Sequence, residues 1–92
     1  MNKPLNRNHM NIKKNIALSD SGFVFDPSSG DSFSANPIGL EIIKLLKDGN
    51  SKEEIKKHIV DTYMTDEVTF EKDYYDFTST LVKLSVAEET NK

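Results

Sequence analysis

The feature that most constrains the fold is the run over residues 22–49, GFVFDPSSGDSFSANPIGLEIIKLLKDG. Alternating residue types predict short strands over residues 22–26 and 31–36, and the intervening Pro27-Ser28-Ser29-Gly30 predicts a turn. The second strand leads directly into a helix, because Asn36 is a favoured N-cap and Pro37 is favoured at the first helical position. A hairpin that continues into a helix sets a strand edge beside that helix, which suits the holding of another chain.

A further short strand is predicted before this hairpin, where Ile16 and Leu18 alternate. In the next strand Phe23 and Phe25 share one face and Val24 lies on the other. Together the three segments predict a small antiparallel meander with one apolar and one polar face.

Three helices are predicted after the meander. The apolar residues of the first helix form one face, and Gly39 in that face is expected to let another backbone come close. Ser51 and Glu54 predict a capping box for the second helix. The third helix is expected to begin near residues 66–69 and to end near residues 84–86.

The third helix carries two apolar stripes. The first predicts the core contact and contains Phe70, Tyr74, Phe77, Leu81 and Leu84. The second, called here the second stripe, contains Val68, Tyr75, Thr78, Val82 and Val86. It is either packed on a neighbouring element or kept for a partner.

Composition separates the ends of the chain from its centre. Residues 1–15 are polar and basic and predict a largely flexible arm that is extended near Met10 and Ile12. Residues 16–86 predict the folded domain, and residues 87–92 predict a flexible tail. The chain has 92 residues, room for one small core. It has no apolar stretch near the length of about 18 residues that a membrane span needs, and we expect a cytoplasmic protein.

No constellation of catalytic residues is recognisable in the sequence. The chain lacks cysteine, which excludes disulfides, thiolate zinc sites and thiol nucleophiles. His9 and His58 do not have the spacing of metal ligands, and His58 is expected to be exposed to solvent. We therefore expect no enzymatic activity and no cofactor.

The order of these elements resembles the PqqD family of peptide chaperones, which are recognition elements for ribosomally made precursor peptides that are later modified. The resemblance rests on FVFDPSSGDSFSANPIGLEIIKLLKDG, on the following SKEEI and on a D-x-x-x-F-x-x-x-L third helix with Asp73, Phe77 and Leu81. It covers residues 16–84. It implies an α+β, winged-helix-like domain in which a three-stranded antiparallel sheet is followed by three helices.

The resemblance also implies a function and a site. A leader peptide would add as a strand along the third strand and lie against the third helix, and the domain would present it to a modifying enzyme, commonly a radical-SAM protein. The implied peptide-binding residues are those of the third strand and the second stripe: Asp31, Ser32, Phe33, Ser34, Ala35, Asn36, Val68, Tyr75, Thr78, Val82 and Val86.

Two other classes of function fit parts of the pattern. A winged-helix DNA-binding protein would share the topology, but the predicted third helix is acidic over residues 71–76 and the net charge is -3. A protein–protein adaptor subunit would use the same surfaces for a folded partner. An exposed strand edge also leaves room for a homodimer.

Overall fold

The computed structural model describes residues 9–90, which form one three-stranded sheet, one two-stranded ribbon and three helices. In chain order the elements are β1 (His9–Ile12), β2 (Ala17–Leu18), β3 (Phe23–Asp26), β4 (Asp31–Ser34), α1 (Pro37–Lys47), α2 (Lys52–Tyr63), α3 (Glu67–Lys83) and β5 (Ala87–Thr90). The prediction of an α+β domain with a three-stranded antiparallel sheet followed by three helices is confirmed.

The three-stranded sheet has the order β2-β3-β4, with β3 in the centre. The Asp26 carboxylate accepts from the Ser28 backbone N–H at 2.9 Å and stabilises the turn between β3 and β4. At the other end of the hairpin Gly22 has φ +100°, and a Cβ there would lie 2.7 Å from the Ala35 carbonyl oxygen. Only glycine suits that position, since both its backbone conformation and the available space exclude a side chain.

Side-chain caps begin all three helices. The Asn36 side chain accepts from the Gly39 N–H at 2.7 Å, and Ser51 and Glu54 form the predicted capping box. Asp66 caps α3 by accepting from the Thr69 N–H at 2.7 Å. Hydrogen bonds from the backbone and the side chain of Thr69 lower the pKa of the Asp66 carboxyl. The starts of the helices were predictable because each depends on neighbours in the sequence.

The core consists of two adjoining clusters. One joins the sheet to α1, α3 and β5, and contains Ile16, Val24, Ile43, Leu81, Val86 and Ala87. The other joins the three helices, and contains Ile42, Leu46, Ile55, Ile59, Phe70 and Tyr74. The partly buried Phe77 packs against both clusters and connects them.

Both ends of the described chain form strands where composition predicts flexible segments, and β1 includes the extended part expected near Met10 and Ile12. β1 and β5 pair as antiparallel strands with Met10 opposite Glu89 and Ile12 opposite Ala87. The Lys13 N–H also donates to the Val86 carbonyl at 3.0 Å. Met10 and Ile12 pack against the core, so the ribbon gains apolar burial that neither strand has alone. The rest of the predicted arm, residues 1–8, and residues 91–92 lie outside the described residues.

The sheet also differs from a meander with one apolar and one polar face. The register pairs Phe23 with Ser34 and Phe25 with Ser32, so that aromatic rings and hydroxyls share the outer face. Val24 points inward and is fully buried. Alternation along one strand does not reveal which of its two faces the helices cover.

Candidate functional site

The outer edge of β4 is open in the described part of the chain, because β4 pairs with β3 on one side and with no strand on the other. The Ala35 N–H donates to the Gly22 carbonyl at 2.7 Å, which places the backbone groups of Ala35 on the side of β3. In an antiparallel pair such residues alternate with residues whose backbone groups face away. The N–H and C=O groups of Ser32 and Ser34 therefore face the open edge, two donors and two acceptors in a row.

A groove begins directly after β4 and runs between the start of α1 and one side of α3. Its volume is about 410 Å³ and we call it the α1–α3 groove. Its lining residues are Asn36, Ile38, Gly39, Ile42, Asp73, Asp76, Phe77 and Thr80. Asn36 belongs both to this groove and to the predicted site, so the groove adjoins the end of the predicted strand.

Gly39 determines how closely α1 approaches α3. A Cβ built at this position would lie 3.0 Å from two ring carbons of Phe77 and 3.1 Å from the Asn36 side-chain oxygen. The close approach that we predicted for Gly39 thus exists, but the partner is an aromatic side chain and not another backbone. The missing side chain leaves space for the ring that forms part of the groove floor.

The second stripe does not form one exposed face. Val68 and Tyr75 are largely exposed, at 80% and 71%, and Val82 is partly exposed. Thr78 and Val86, in contrast, are buried, and the Thr78 hydroxyl donates to the Tyr74 carbonyl at 2.8 Å. Val86 is buried because it lies in the core that β5 and the sheet close.

Three residues of the stripe, Tyr75, Thr78 and Val82, line a different groove, between α3 and the β1–β5 ribbon. We call it the ribbon groove. Its volume is about 570 Å³, and its lining residues are Met10, Lys52, Glu71, Tyr74, Tyr75, Thr78, Ser79, Val82, Lys83 and Glu89. Among the residues lining it, none comes from β4. The ribbon groove and the α1–α3 groove share no lining residue, and β4 itself lines neither of them.

Two of the charged residues that line the ribbon groove, Lys52 and Glu71, form an ion pair. The Glu71 carboxylate lies 2.6 Å from the Lys52 ammonium and 3.0 Å from the Lys56 ammonium, and so ties α2 to α3. Hydrogen bonds from Lys52, and then from Lys56, lower the pKa of Glu71, and the bond to Glu71 raises the pKa of Lys56. Burial raises the pKa of the neighbouring Tyr74 hydroxyl to about 12, so that this group stays neutral at physiological pH.

Neither groove contains a recognisable set of reacting groups. Over residues 9–90 there is no cluster of three or more His, Cys, Asp or Glu side chains that could hold a metal ion. The exposed His58 ring lies with Nε2 2.9 Å from the Glu41 carboxylate. What the β4 edge and the α1–α3 groove can do chemically is to form main-chain hydrogen bonds and to take up apolar side chains.

Sequence reasoning did not find the α1–α3 groove, although it singled out several of its residues. Asp73 belonged to the family pattern, Phe77 to the core stripe and Gly39 to a close approach. Their common location depends on how α1 packs against α3, which the pattern of each helix alone does not contain.

None of the described helices is long and apolar enough to cross a membrane.

Comparisons with known proteins agree with this architecture. The family model "Coenzyme PQQ synthesis protein D (PqqD)" matches residues 22–86, whereas no curated protein matches the chain. A solved structure described as "TbiB1 in Complex with the TbiA(beta) Leader Peptide" is similar at 28% identity and a TM-score of 0.76, covering 85% of this chain and 94% of the other. Another, "Lasso peptide synthetase B1 complexed with the leader peptide", shares the fold at 20% identity and a TM-score of 0.75, covering 87% and 98%.

The family match spans the hairpin, all three helices and the buried Val86. It therefore includes the open β4 edge and every residue that lines the α1–α3 groove. The chain belongs to the PqqD family.

Proposed function

We propose that this chain is a non-catalytic binding protein for the leader segment of a ribosomally made precursor peptide, which it presents to a modifying enzyme. The observation that carries the proposal is the open edge of β4, where Ser32 and Ser34 direct four main-chain groups outward. An extended peptide can add to such an edge, with main-chain bonds giving affinity and alternate side chains giving specificity.

Membership of the PqqD family supports this assignment, and so do the two solved relatives, which are described as complexes with leader peptides. Because the partner is a ribosomally made peptide, we place the binding event in the cytoplasm. The radical-SAM class of the modifying enzyme stays a prediction, since neither solved relative bears on it.

We further propose that inward-facing side chains of the peptide enter the α1–α3 groove. Its first lining residue along the chain, Asn36, lies two residues after the end of β4, so the groove adjoins the end of the strand to which the peptide would pair. Its floor offers Phe77 and Ile42, and its α3 side offers the carboxylates of Asp73 and Asp76. An apolar floor with an acidic margin favours a peptide that carries apolar residues and a basic residue.

The role of the second stripe in peptide binding stays a prediction. Tyr75 and Val82 line the ribbon groove, on the other side of α3 from Asp73 and Asp76. A peptide paired with β4 would have to cross α3 to reach them. For this reason we favour the α1–α3 groove as the contact surface.

The test is an amide-shift titration of the full-length, isotopically labelled chain. The probes are synthetic leader halves of short peptides encoded beside the gene of this chain. We expect the largest shifts at Ser32 and Ser34 and along the α1–α3 groove. Shifts confined to Tyr75 and Val82 would contradict the proposed groove, and absence of shifts with every peptide would contradict peptide binding. A parallel titration with duplex DNA tests the winged-helix alternative, for which the acidic α3 predicts no response.

A further inference from the structure

Two aromatic rings, those of Phe23 and Phe25, are exposed on the outer face of the sheet. Phe23 is 54% exposed and Phe25 is 41% exposed, while Val24 between them is fully buried. Both rings belong to β3, the central strand. Large apolar side chains scattered singly on a surface are common, but two adjacent rings on the central strand of a sheet form a patch that suits a partner.

The neighbours of these rings on the outer face are small. Phe25 lies opposite Ala17 on one side and opposite Ser32 on the other, and Phe23 lies opposite Ser34. The serines therefore form a low column between the rings and the open edge of β4. A side chain that comes from beyond that edge meets only two hydroxyls before it reaches the rings.

The position of an added strand follows from the spacing of strands. Neighbouring strands lie about 4.8 Å apart, so a peptide paired with β4 runs roughly 10 Å from β3. In an antiparallel pair, residues directly opposite each other point to the same face. The two peptide residues opposite Ser34 and Ser32 thus point to the outer face, and only a long side chain can lean over the serines to meet the rings.

We propose that Phe23 and Phe25 form a second specificity surface for the bound peptide, which we call the outer aromatic pair. The occupant is an aromatic or large aliphatic side chain at one or both of the outward positions, spaced i and i+2, opposite Ser34 and Ser32. The peptide is then held on both faces, by the α1–α3 groove on one and by the outer aromatic pair on the other. This inference rests on the proposed addition of a peptide strand to β4.

The arrangement predicts the pattern of the ligand. A peptide that uses only the inner groove needs apolar residues at every second position. A peptide that also uses the outer aromatic pair needs large apolar residues at consecutive positions, one inward and one outward. Short outward side chains such as alanine cannot span the serine column.

The experiment uses a displayed library of random twelve-residue peptides, selected on the full-length chain. The tightest binder is then compared with a version that has alanine at its outward positions. Both are measured against the parent, against the double variant Phe23→Ser with Phe25→Ser, and against the control Met64→Ser. Met64 is 87% exposed, lies at the end of α2 and lines neither groove, so its replacement leaves both proposed peptide surfaces intact.

For the parent and for the Met64→Ser control we expect the alanine version to bind about two- to fivefold more weakly, as for lost cross-strand aromatic contacts. For the double variant we expect both versions to bind equally and weakly. Amide shifts of Ser32 and Ser34 report strand addition separately. If these amides shift and the double variant still binds like the parent, the proposed contact of the peptide with the outer aromatic pair is refuted, whereas strand addition is supported. If the outer face responds only when a modifying enzyme is added, the pair is an enzyme-docking surface and the inference is also wrong. If no selected peptide shifts these amides, strand addition itself is refuted, and the inference with it.

Discussion

Replacing Ser34 by proline tests the strand edge with the least change to the fold. The Ser34 N–H faces the open edge and not β3, so proline removes a donor that the domain does not use in the β3–β4 ladder. Proline is tolerated on edge strands where its nitrogen faces outward. The preceding Phe33 already has the extended conformation that a residue before proline requires. We therefore expect Ser34→Pro to fold.

The expected loss of affinity follows from one missing main-chain hydrogen bond. The bond itself contributes about 0.5–1.5 kcal/mol, and the peptide carbonyl that is left without a donor costs about 1–3 kcal/mol. The cost of the unsatisfied carbonyl already includes much of the lost hydrogen bond, so the two terms do not add. We expect a total loss of binding free energy of about 1–3 kcal/mol. This corresponds to roughly a 5- to 140-fold weaker Kd for the leader peptide.

Isothermal titration calorimetry with the parent, Ser34→Pro and Ser34→Ala provides the measurement. The alanine variant keeps the N–H and loses only an exposed hydroxyl, so we expect it to bind like the parent. Thermal unfolding followed by circular dichroism checks that all three proteins are folded. Equal affinities for the proline variant and the parent, with similar Tm values, would refute strand addition at β4. A proline variant that is unfolded is replaced by Ser32→Pro, whose N–H also faces the open edge.

Three further predictions concern the groove, the helix contact and the ion pair. Ile38→Asp should weaken peptide binding by about 1–2 kcal/mol, roughly 5- to 30-fold, without loss of stability, because α1 has no acidic residue in its first turn. Tyr75→Ala should leave the affinity measured by calorimetry unchanged. If Tyr75→Ala weakens binding and Ile38→Asp does not, the ribbon groove is the binding site. Gly39→Ala should lower the Tm although alanine has the better helix propensity, because the new Cβ would lie 3.0 Å from the Phe77 ring. In a double-mutant cycle, Phe77→Leu should restore part of the lost stability. A higher Tm for Gly39→Ala alone would contradict this packing. Glu71→Gln should cost at most about 1 kcal/mol near pH 7, a few degrees in Tm, since the pair is partly exposed. The pKa of Glu71 is lowered on folding, so the difference from the parent should be complete above the ordinary value of 4.5 and vanish as pH falls through the lowered value; a difference that grows in acid would refute the assignment.

The sequence was most informative where structure depends on near neighbours. Asn36 and Ser51 cap helices because a side-chain oxygen and a backbone N–H three residues later form a local contact. Positive backbone angles at Gly22 and Gly30 mark the two ends of the β3–β4 hairpin for the same reason. From such signals the sequence alone predicts the order of the elements. The resemblance to the PqqD family rests on that order.

Features that join distant parts of the chain were not accessible in this way. β1 and β5 pair the two ends of the described chain, and neither strand has a strong pattern of its own. Their pairing is stable because Met10, Ile12 and Ala87 are buried together against the helices. The burial of Val86 likewise depends on this distant closure, and the stripe of α3 left open whether its residues pack on a neighbouring element or stay available to a partner.

By itself the sequence determined that the chain forms a strand–turn–strand–helix unit with an edge beside a helix, since caps, turns and alternation act over a few residues. Tertiary packing alone decided which surfaces remain available. The inward turn of Val24 leaves Phe23 and Phe25 exposed, and the contact between Gly39 and Phe77 creates the groove next to β4. The physical reason is that a periodic pattern gives the faces of an element, whereas the choice of the face to be buried depends on the apolar area of all its neighbours together.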